Sequence, residues 1–129
     1  GELEGSRLKK VYTDKLGTTA LEADNFVFAA GSFLGGGLTS NYEGVREPIL
    51  GLDVDADADR AKWASYDLYG KQPYQSYGVK TDDNLLAMKN SQTLDNVYAI
   101  GSILSGNDPR MATSTGIDLL TALAVASTL

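Results

Sequence analysis

Two apolar runs in this sequence each end on a glycine that is followed by a serine. The first is ADNFVFAAGSF at residues 23–33, and the second is DNVYAIGSIL at residues 95–104. Both runs have the composition of a strand, so each delivers its Gly-Ser pair to the carboxyl edge of a sheet. Glycine lets the backbone approach a ligand closely, and open α/β sheets bind ligands at that edge. The pattern predicts a site for a large planar cofactor, lined by Gly31, Ser32 and Gly101.

A third element could complete this site, because the apolar stretch at residues 116–129 follows cap-type residues. Ser114, Thr115 and Gly116 would form its start, and Thr115 with Asp118 has the spacing of a capping box. A helix start carries about half a positive charge, worth ~0.3–2 kcal/mol to a nearby anion. Since the stretch is apolar nearly all round, we expect a buried helix, either a plain core helix or one that faces the cofactor.

Composition limits the chemistry that these elements can support. The chain has 129 residues, 43% of them hydrophobic and 22% charged, which fits one soluble globular domain. The net charge of −6 disfavours a nucleic-acid partner. There is no cysteine and no histidine in the sequence, so iron–sulfur ligation by thiolates and the commonest general base are both missing. Redox chemistry in this chain would therefore be carried by an organic cofactor.

Two further segments invite binding sites that their spacing does not support. The acidic run DVDADAD at residues 53–59 lacks the glycine and glutamate of a calcium loop, so we predict no metal site and expect solvated carboxylates, with Asp57 or Asp59 capping a helix over residues 61–69. The cluster Gly35 to Gly37 matches neither a dinucleotide fingerprint nor a P-loop, and a turn before a short helical stretch at residues 38–42 is the favoured interpretation. The terminal apolar stretch falls short of the ~20 residues that span a bilayer, so no direct membrane insertion is expected.

The remaining pattern indicates an α/β fold. Residues 8–13 and 18–22 predict a hairpin, and the run FVFAA at residues 26–30 predicts a parallel strand buried on both faces. The interval between residues 71 and 95 is too short for a full crossover helix, so a β excursion is expected there. The aromatic residues of the helix over residues 61–69 would share one side, as core or interface packing or as a substrate-facing wall.

The order of these segments resembles the carboxyl-terminal part of one flavoprotein family, the B subunits of anaerobic glycerol-3-phosphate dehydrogenase. The most specific pieces are EPILGLDV at residues 47–54 and YGVKTD at residues 77–82. That family is itself similar to the flavin-binding fold of fumarate reductase and succinate dehydrogenase flavoproteins. The resemblance implies FMN (or FAD) as cofactor, bound along the region from Gly101 to Gly116.

The resemblance also implies a function and partners. The expected protein is a flavoprotein subunit that has two partners. These are the catalytic A subunit and the membrane-anchoring iron–sulfur C subunit. Together they would oxidise sn-glycerol 3-phosphate to dihydroxyacetone phosphate and pass electrons toward menaquinone in anaerobic respiration. The flavoprotein would be cytoplasmic and peripheral at the inner face of the cell membrane. Alternatives are another flavin-dependent dehydrogenase or reductase of the fumarate reductase type, and a non-catalytic assembly module.

The sequence departs from the broader flavoprotein pattern at two points. Ser102 stands where an acidic residue often bonds the ribityl chain, and the amino-terminal βαβ unit with GxGxxG is absent from these residues. We therefore expect a single unit over residues 1–129 that is a fragment of a Rossmann-like FAD/NAD(P)-binding domain, with a small β excursion and a buried carboxyl-terminal helix. The predicted cofactor-binding residues are Gly31, Ser32, Gly101, Ser102, Ser114, Thr115 and Gly116. No catalytic residue is assigned, and the isolated chain is expected to be inactive.

Overall fold

The computed structural model describes residues 1–108, 110 and 114–129, which form ten strands and one α-helix. The strands are β1 (Glu2–Glu4), β2 (Arg7–Val11), β3 (Leu21–Glu22), β4 (Phe26–Phe28), β5 (Thr39–Asn41), β6 (Gly44–Arg46), β7 (Val54–Asp55), β8 (Gly78–Val79), β9 (Leu86–Lys89) and β10 (Gln92–Ala99). The helix α1 spans Ser114–Thr128, and 3₁₀ turns occur at Arg60–Lys62, Pro73–Ser76 and Gly101–Ile103. The mixed α/β class expected from the sequence is confirmed.

A three-stranded sheet in the order β4-β10-β9 carries the end of both apolar runs. β10 pairs with β4 in parallel, with Ala99 opposite Phe28, and with β9 in antiparallel fashion. The parallel pair was predicted, but β4 is not buried on both faces. It is the edge strand of this sheet, so Val27 remains 47% exposed while Phe28 enters the core.

The predicted hairpin is present and belongs to a second sheet, β1-β2-β3, which a buried amide helps to join to the first. The Asn96 side chain on β10 accepts a hydrogen bond from the N–H of Leu8 at 2.8 Å and donates to the carbonyls of Leu8 at 2.8 Å and Asp24 at 2.9 Å. A buried polar group costs little when all its partners are present. This amide therefore fixes β2 against β10.

The side chain of Glu47 holds the motif EPILGLDV in position. Its carboxylate is buried and accepts hydrogen bonds from the backbone N–H groups of Ile49, of Leu50 at 2.9 Å and of Leu52 at 3.0 Å. Backbone donors around a carboxylate offset the cost of burying its charge. The loop thereby places the side chain of Leu52 in the core.

The prediction of a helix over residues 61–69 is wrong, because the chain forms only the 3₁₀ turn Arg60–Lys62 there. The Asp59 side chain caps that turn by accepting from Ala61 N–H, as expected for this residue. Beyond it, Ser65 Oγ accepts from Asp67 N–H and Asp67 Oδ1 accepts from Tyr69 N–H. Short polar side chains that bond to the nearby backbone compete with helical hydrogen bonds, which explains why no α-helix forms here.

Two other predictions on helices also require correction. The segment at residues 38–42 forms β5, which pairs with β6, instead of a helical stretch. The terminal helix α1 forms, but of its described side chains only that of Val125 is buried, while Leu119, Leu120 and Leu123 stay 58–67% exposed. Because its apolar residues surround the helix, contact with the rest of the chain along one side leaves the others in solvent. No helix among the described residues has the length and apolarity needed to span a bilayer.

Candidate functional site

The two glycines that end the apolar runs lie at the same edge of the central sheet. β4 and β10 run parallel, and Ile100 N–H extends their ladder by donating to the Phe28 carbonyl at 3.1 Å. After each strand the backbone turns at a glycine in the left-handed region, with φ +75° at Gly31 and φ +75° at Gly101. An L-residue rarely adopts this conformation, so the turn itself accounts for glycine at both positions.

These turns enclose a shared cleft of about 200 Å³. It is lined by Ala29, Gly31, Ile100, Gly101, Ser102 and Asp118. A Cβ added at Gly31 would lie 3.9 Å from Ser102 Oγ and 3.3 Å from Gly35 Cα. A side chain at Gly31 would therefore enter the cleft beside the Ser102 hydroxyl.

Helix α1 is fixed above this cleft by a hydrogen bond to its floor. The Gly101 N–H donates to Thr121 Oγ1 at 3.0 Å, and that hydroxyl donates to the Ile117 carbonyl at 2.6 Å. One turn before Thr121, the Asp118 carboxylate lies over Gly101, with Oδ1 2.6 Å from the position of an added Cβ. The first turns of α1 thus face the end of β10.

The structure brings together only part of the predicted site. Gly31, Gly101 and Ser102 line the cleft, whereas Ser32, Thr115 and Gly116 are not among its lining residues. Thr115 and Gly116 are exposed in the first turn of α1, and an added Cβ at Gly116 meets no atom within 4 Å. Helix α1 begins at Ser114, whose side chain lies outside the described part of the chain. Contact of these four residues with a cofactor stays a prediction.

Two of the residues that define the cleft were not found by sequence reasoning. Asp118 was assigned to a capping box with Thr115, but the helix already begins at Ser114, so Thr115 lies within the first turn. Thr121 was assigned no role. The sequence signal for Thr121 was its position three residues after Asp118, because that spacing places both side chains on one face of a helix.

The glycine cluster after β4 folds back on the first turn as a tight loop. The N–H groups of Gly35 and Gly37 both donate to the Ser32 carbonyl at 3.1 Å, and Gly36 N–H donates to Phe33 at 3.3 Å. An added Cβ at Gly37 would lie 1.9 Å from the Gly31 carbonyl oxygen. These amides are occupied within the chain, which favours the turn interpretation over a phosphate cradle.

Arg110, the cation nearest in sequence to α1, is held by its neighbour. Its Nε donates to Asp108 Oδ1 at 3.1 Å and its terminal nitrogen donates to Oδ2 at 2.8 Å. Hydrogen bonding to Arg110 lowers the pKa of Asp108 to about 2. The guanidinium is thus engaged with a carboxylate, and we assign it no ligand.

The residues that line the cleft are compatible with one side of a large flat cofactor. Gly31 presents no side chain to the cleft, and the Ser102 hydroxyl can both donate and accept hydrogen bonds there. The Asp118 carboxylate borders the position that a Cβ of Gly101 would take. Ordinary ligand pockets measure roughly 300–1,000 Å³, so a cleft of about 200 Å³ encloses only part of such a molecule. A larger cavity of about 370 Å³ lies beside Arg7, Glu22 and Asp24, away from both glycine turns, and its mixed charges favour no such ligand.

Comparison with known proteins identifies the kind of domain to which this site belongs. The family model described as FAD binding domain matches residues 1–117. The chain is 40% identical over 126 residues to the B subunit of anaerobic glycerol-3-phosphate dehydrogenase from Yersinia enterocolitica, a match that covers 97% of this chain and 30% of the relative. The corresponding proteins of Aliivibrio fischeri and Vibrio cholerae are 41% and 37% identical over 80% and 84% of this chain, and over 23% and 26% of their own length.

These matches confirm the resemblance that the sequence motifs indicated, and they confirm a flavin as the class of cofactor. The chain spans about 30% of the length of the first of these relatives. No solved structure is significantly similar to it.

Proposed function

This chain belongs to the FAD-binding domain family, and from that premise we propose that it forms the carboxyl-terminal part of a Rossmann-like flavin-binding domain. The complete protein would be the flavoprotein subunit of a quinone-linked dehydrogenase. It would oxidise sn-glycerol 3-phosphate to dihydroxyacetone phosphate and pass electrons toward menaquinone. The substrate class rests on the names of the relatives, which are subunits of anaerobic glycerol-3-phosphate dehydrogenases.

The shared cleft at the ends of β4 and β10 is the observation that carries this proposal. Two glycine turns and a serine hydroxyl meet there beneath the first turns of α1. In open α/β folds, ligands bind outside the carboxyl ends of the strands, where loops from neighbouring strands separate. This geometry favours a division in which the chain contributes one side of a flavin site and the remainder of the subunit contributes the other.

Each residue of the cleft has a definite task in this proposal. Bound flavin would supply the two-electron acceptor for oxidation of the substrate. Gly31 and Gly101 would line the cofactor site with backbone, and the Ser102 hydroxyl would form a hydrogen bond with the cofactor. Thr121 keeps α1 over the cleft through the Gly101 N–H. We assign no group of this chain as the base that removes the substrate hydroxyl proton.

The proposed assembly follows from the designation of the relatives as B subunits, which implies a complex of several different chains. We propose that its two partners are the catalytic A subunit and the membrane-anchoring iron–sulfur C subunit. The complex would work at the cytoplasmic face of the cell membrane.

The decisive experiment uses the full-length subunit purified with its partners. We expect flavin absorbance and reduction of an artificial dye that depends on glycerol 3-phosphate. Dye reduction with a dicarboxylate instead would indicate an enzyme of the fumarate reductase type. A complex that lacks flavin absorbance would indicate an assembly module.

The isolated chain provides a second test, because it supplies only one side of the proposed cofactor site. We expect flavin to bind it weakly or not at all. A flavin fluorescence titration that gives sub-micromolar affinity would contradict the division of the site between this chain and the rest of the subunit.

A further inference from the structure

The carboxylate of Asp118 is the charged group of the cleft. It lies on α1 directly over Gly101, and the residues that line the cleft beside it carry no cation. Oδ1 stands 2.6 Å from the position that a Cβ of Gly101 would take. Because Asp118 also lines the cleft, a cofactor bound there would lie beside this carboxylate.

The placement of Asp118 is fixed by the residue one turn further along α1. Thr121 Oγ1 accepts from the Gly101 N–H at 3.0 Å and donates to the Ile117 carbonyl at 2.6 Å. Side chains three residues apart lie on the same face of a helix, so the bond that anchors Thr121 also turns Asp118 toward the end of β10.

A carboxylate at this place opposes the effect of the helix itself. The amino end of α1 carries a partial positive charge that favours an anion. Ionised aspartate carries a full negative charge and only accepts hydrogen bonds. Two-electron reduction of a flavin with uptake of one proton leaves one negative charge on the ring system, so a neighbouring carboxylate disfavours the reduced form.

We propose that Asp118 lowers the redox potential of the flavin bound in this cleft. This inference rests on the proposed function, because it requires a flavin in the cleft that Asp118 lines. It goes further by naming the side chain that tunes the cofactor, and by giving the direction of its effect.

The test measures the midpoint potential of the flavin in the full-length subunit with its partners at pH 7, by titration with dithionite and mediator dyes. Asp118→Asn keeps the size of the side chain and removes its charge. At a fixed potential we expect the ratio of reduced to oxidised flavin to rise about tenfold, which for a two-electron couple is a shift of about 30 mV to more positive potential. Asp118→Glu keeps the charge and should stay closer to the unaltered protein.

Two controls separate this effect from other causes. Asp14→Asn removes the same charge from the turn between β2 and β3, outside the cleft, and should leave the potential unchanged. Asp118→Ser provides a second neutral variant if Asp118→Asn loses its flavin, and it should show the same positive shift.

The outcomes distinguish this inference from the function on which it rests. A flavin-loaded Asp118→Asn or Asp118→Ser protein whose potential is unchanged or lower overturns the role of Asp118 and leaves the flavin site standing. An unaltered full-length protein that contains no flavin overturns the proposed function, and the tuning role fails with it.

Discussion

The backbone N–H of Gly101 donates a hydrogen bond to the hydroxyl of Thr121 at 3.0 Å, and this bond joins the end of β10 to the carboxyl-terminal helix. Among the side chains of α1 that the structure describes, Val125 alone is buried, so apolar packing by itself holds the helix weakly. The contact between Thr121 and Gly101 therefore has a large share in orienting α1. It also explains why the cleft has a defined wall.

Replacement of Thr121 by valine should loosen this wall. The variant keeps the shape of the side chain but leaves the N–H of buried Gly101 without its acceptor, which costs about 1–3 kcal/mol. Urea unfolding of the chain, followed by circular dichroism, measures the loss. Thr121→Ser retains the hydroxyl and should recover most of the stability, and equal stability of the valine variant and the unaltered chain would show that the bond contributes nothing.

The buried carboxylate of Glu47 predicts a larger effect on stability. Glu47→Ala removes the acceptor for three backbone N–H groups, of which that of Leu52 belongs to a buried residue. We expect a loss on the order of 3 kcal/mol, because an unpaired buried donor loses its hydration as well as its hydrogen bond. Glu43→Ala, an exposed carboxylate four residues earlier, is the matched control and should change the unfolding free energy by less than about 0.5 kcal/mol. Similar losses in the two variants would contradict this role of Glu47.

The parallel strand pair and its two glycine turns could be predicted from the sequence because their signals are local. FVFAAG and VYAIG each combine an uninterrupted apolar run with a glycine at its end. The structure confirms that β4 and β10 are parallel and end at one cleft. Such runs need no knowledge of the rest of the fold to be recognised.

The helical part of the cleft was less accessible to sequence reasoning. The direction in which Asp118 points depends on where Thr121 bonds, and that bond joins residues 20 apart in the sequence. Local spacing gave only a capping box. The helix expected over residues 61–69 failed for a related reason. Tyr66 and Tyr69 are exposed, so no shared core holds the aromatic stripe, and backbone N–H groups bond to the side chains of Ser65 and Asp67 instead.

The two specific motifs also proved to have structural tasks that spacing could not reveal. In EPILGLDV, Asp53 accepts from the backbone of Asn90 at 2.9 Å and Ser91 at 2.7 Å, and so holds the turn between β9 and β10. In YGVKTD, a Cβ at Gly78 would lie 2.3 Å from the backbone of Leu104. Both motifs therefore fix the strands that support the cleft.

The ion pair between Asp108 and Arg110 gives a prediction for acid pH. Hydrogen bonds from Arg110 hold the pKa of Asp108 at about 2, below the ordinary value of 3.8. Since the folded-state pKa is lowered, the stabilising contribution is present above about pH 4 and is lost as the pH falls through about 2. A titration of the Asp108 carboxyl carbon by NMR should show its midpoint near that value.

Substitution of the partner tests the cause of this shift. Arg110→Gln should return the pKa of Asp108 toward 3.8, whereas Lys71→Gln should move it much less, because Lys71 contributes the least to the shift. A midpoint that is unaffected by loss of the guanidinium would mean that another group lowers the pKa.

The glycines of the proposed cofactor site provide a matched pair of substitutions. At Gly101, valine would have to adopt φ +75° and its Cβ would meet the Asp118 carboxylate at 2.6 Å, so Gly101→Val should destabilise the fold by about 1–3 kcal/mol and lower the flavin content of the full-length protein. At Gly116 an added Cβ meets nothing within 4 Å, so Gly116→Val should fold normally. Flavin content, measured as the absorbance ratio of the purified proteins, should nevertheless fall in both variants if a cofactor approaches both positions. Full flavin content in folded Gly116→Val would remove the first turn of α1 from the site and restrict the contact of this chain to the cleft between Gly31 and Gly101.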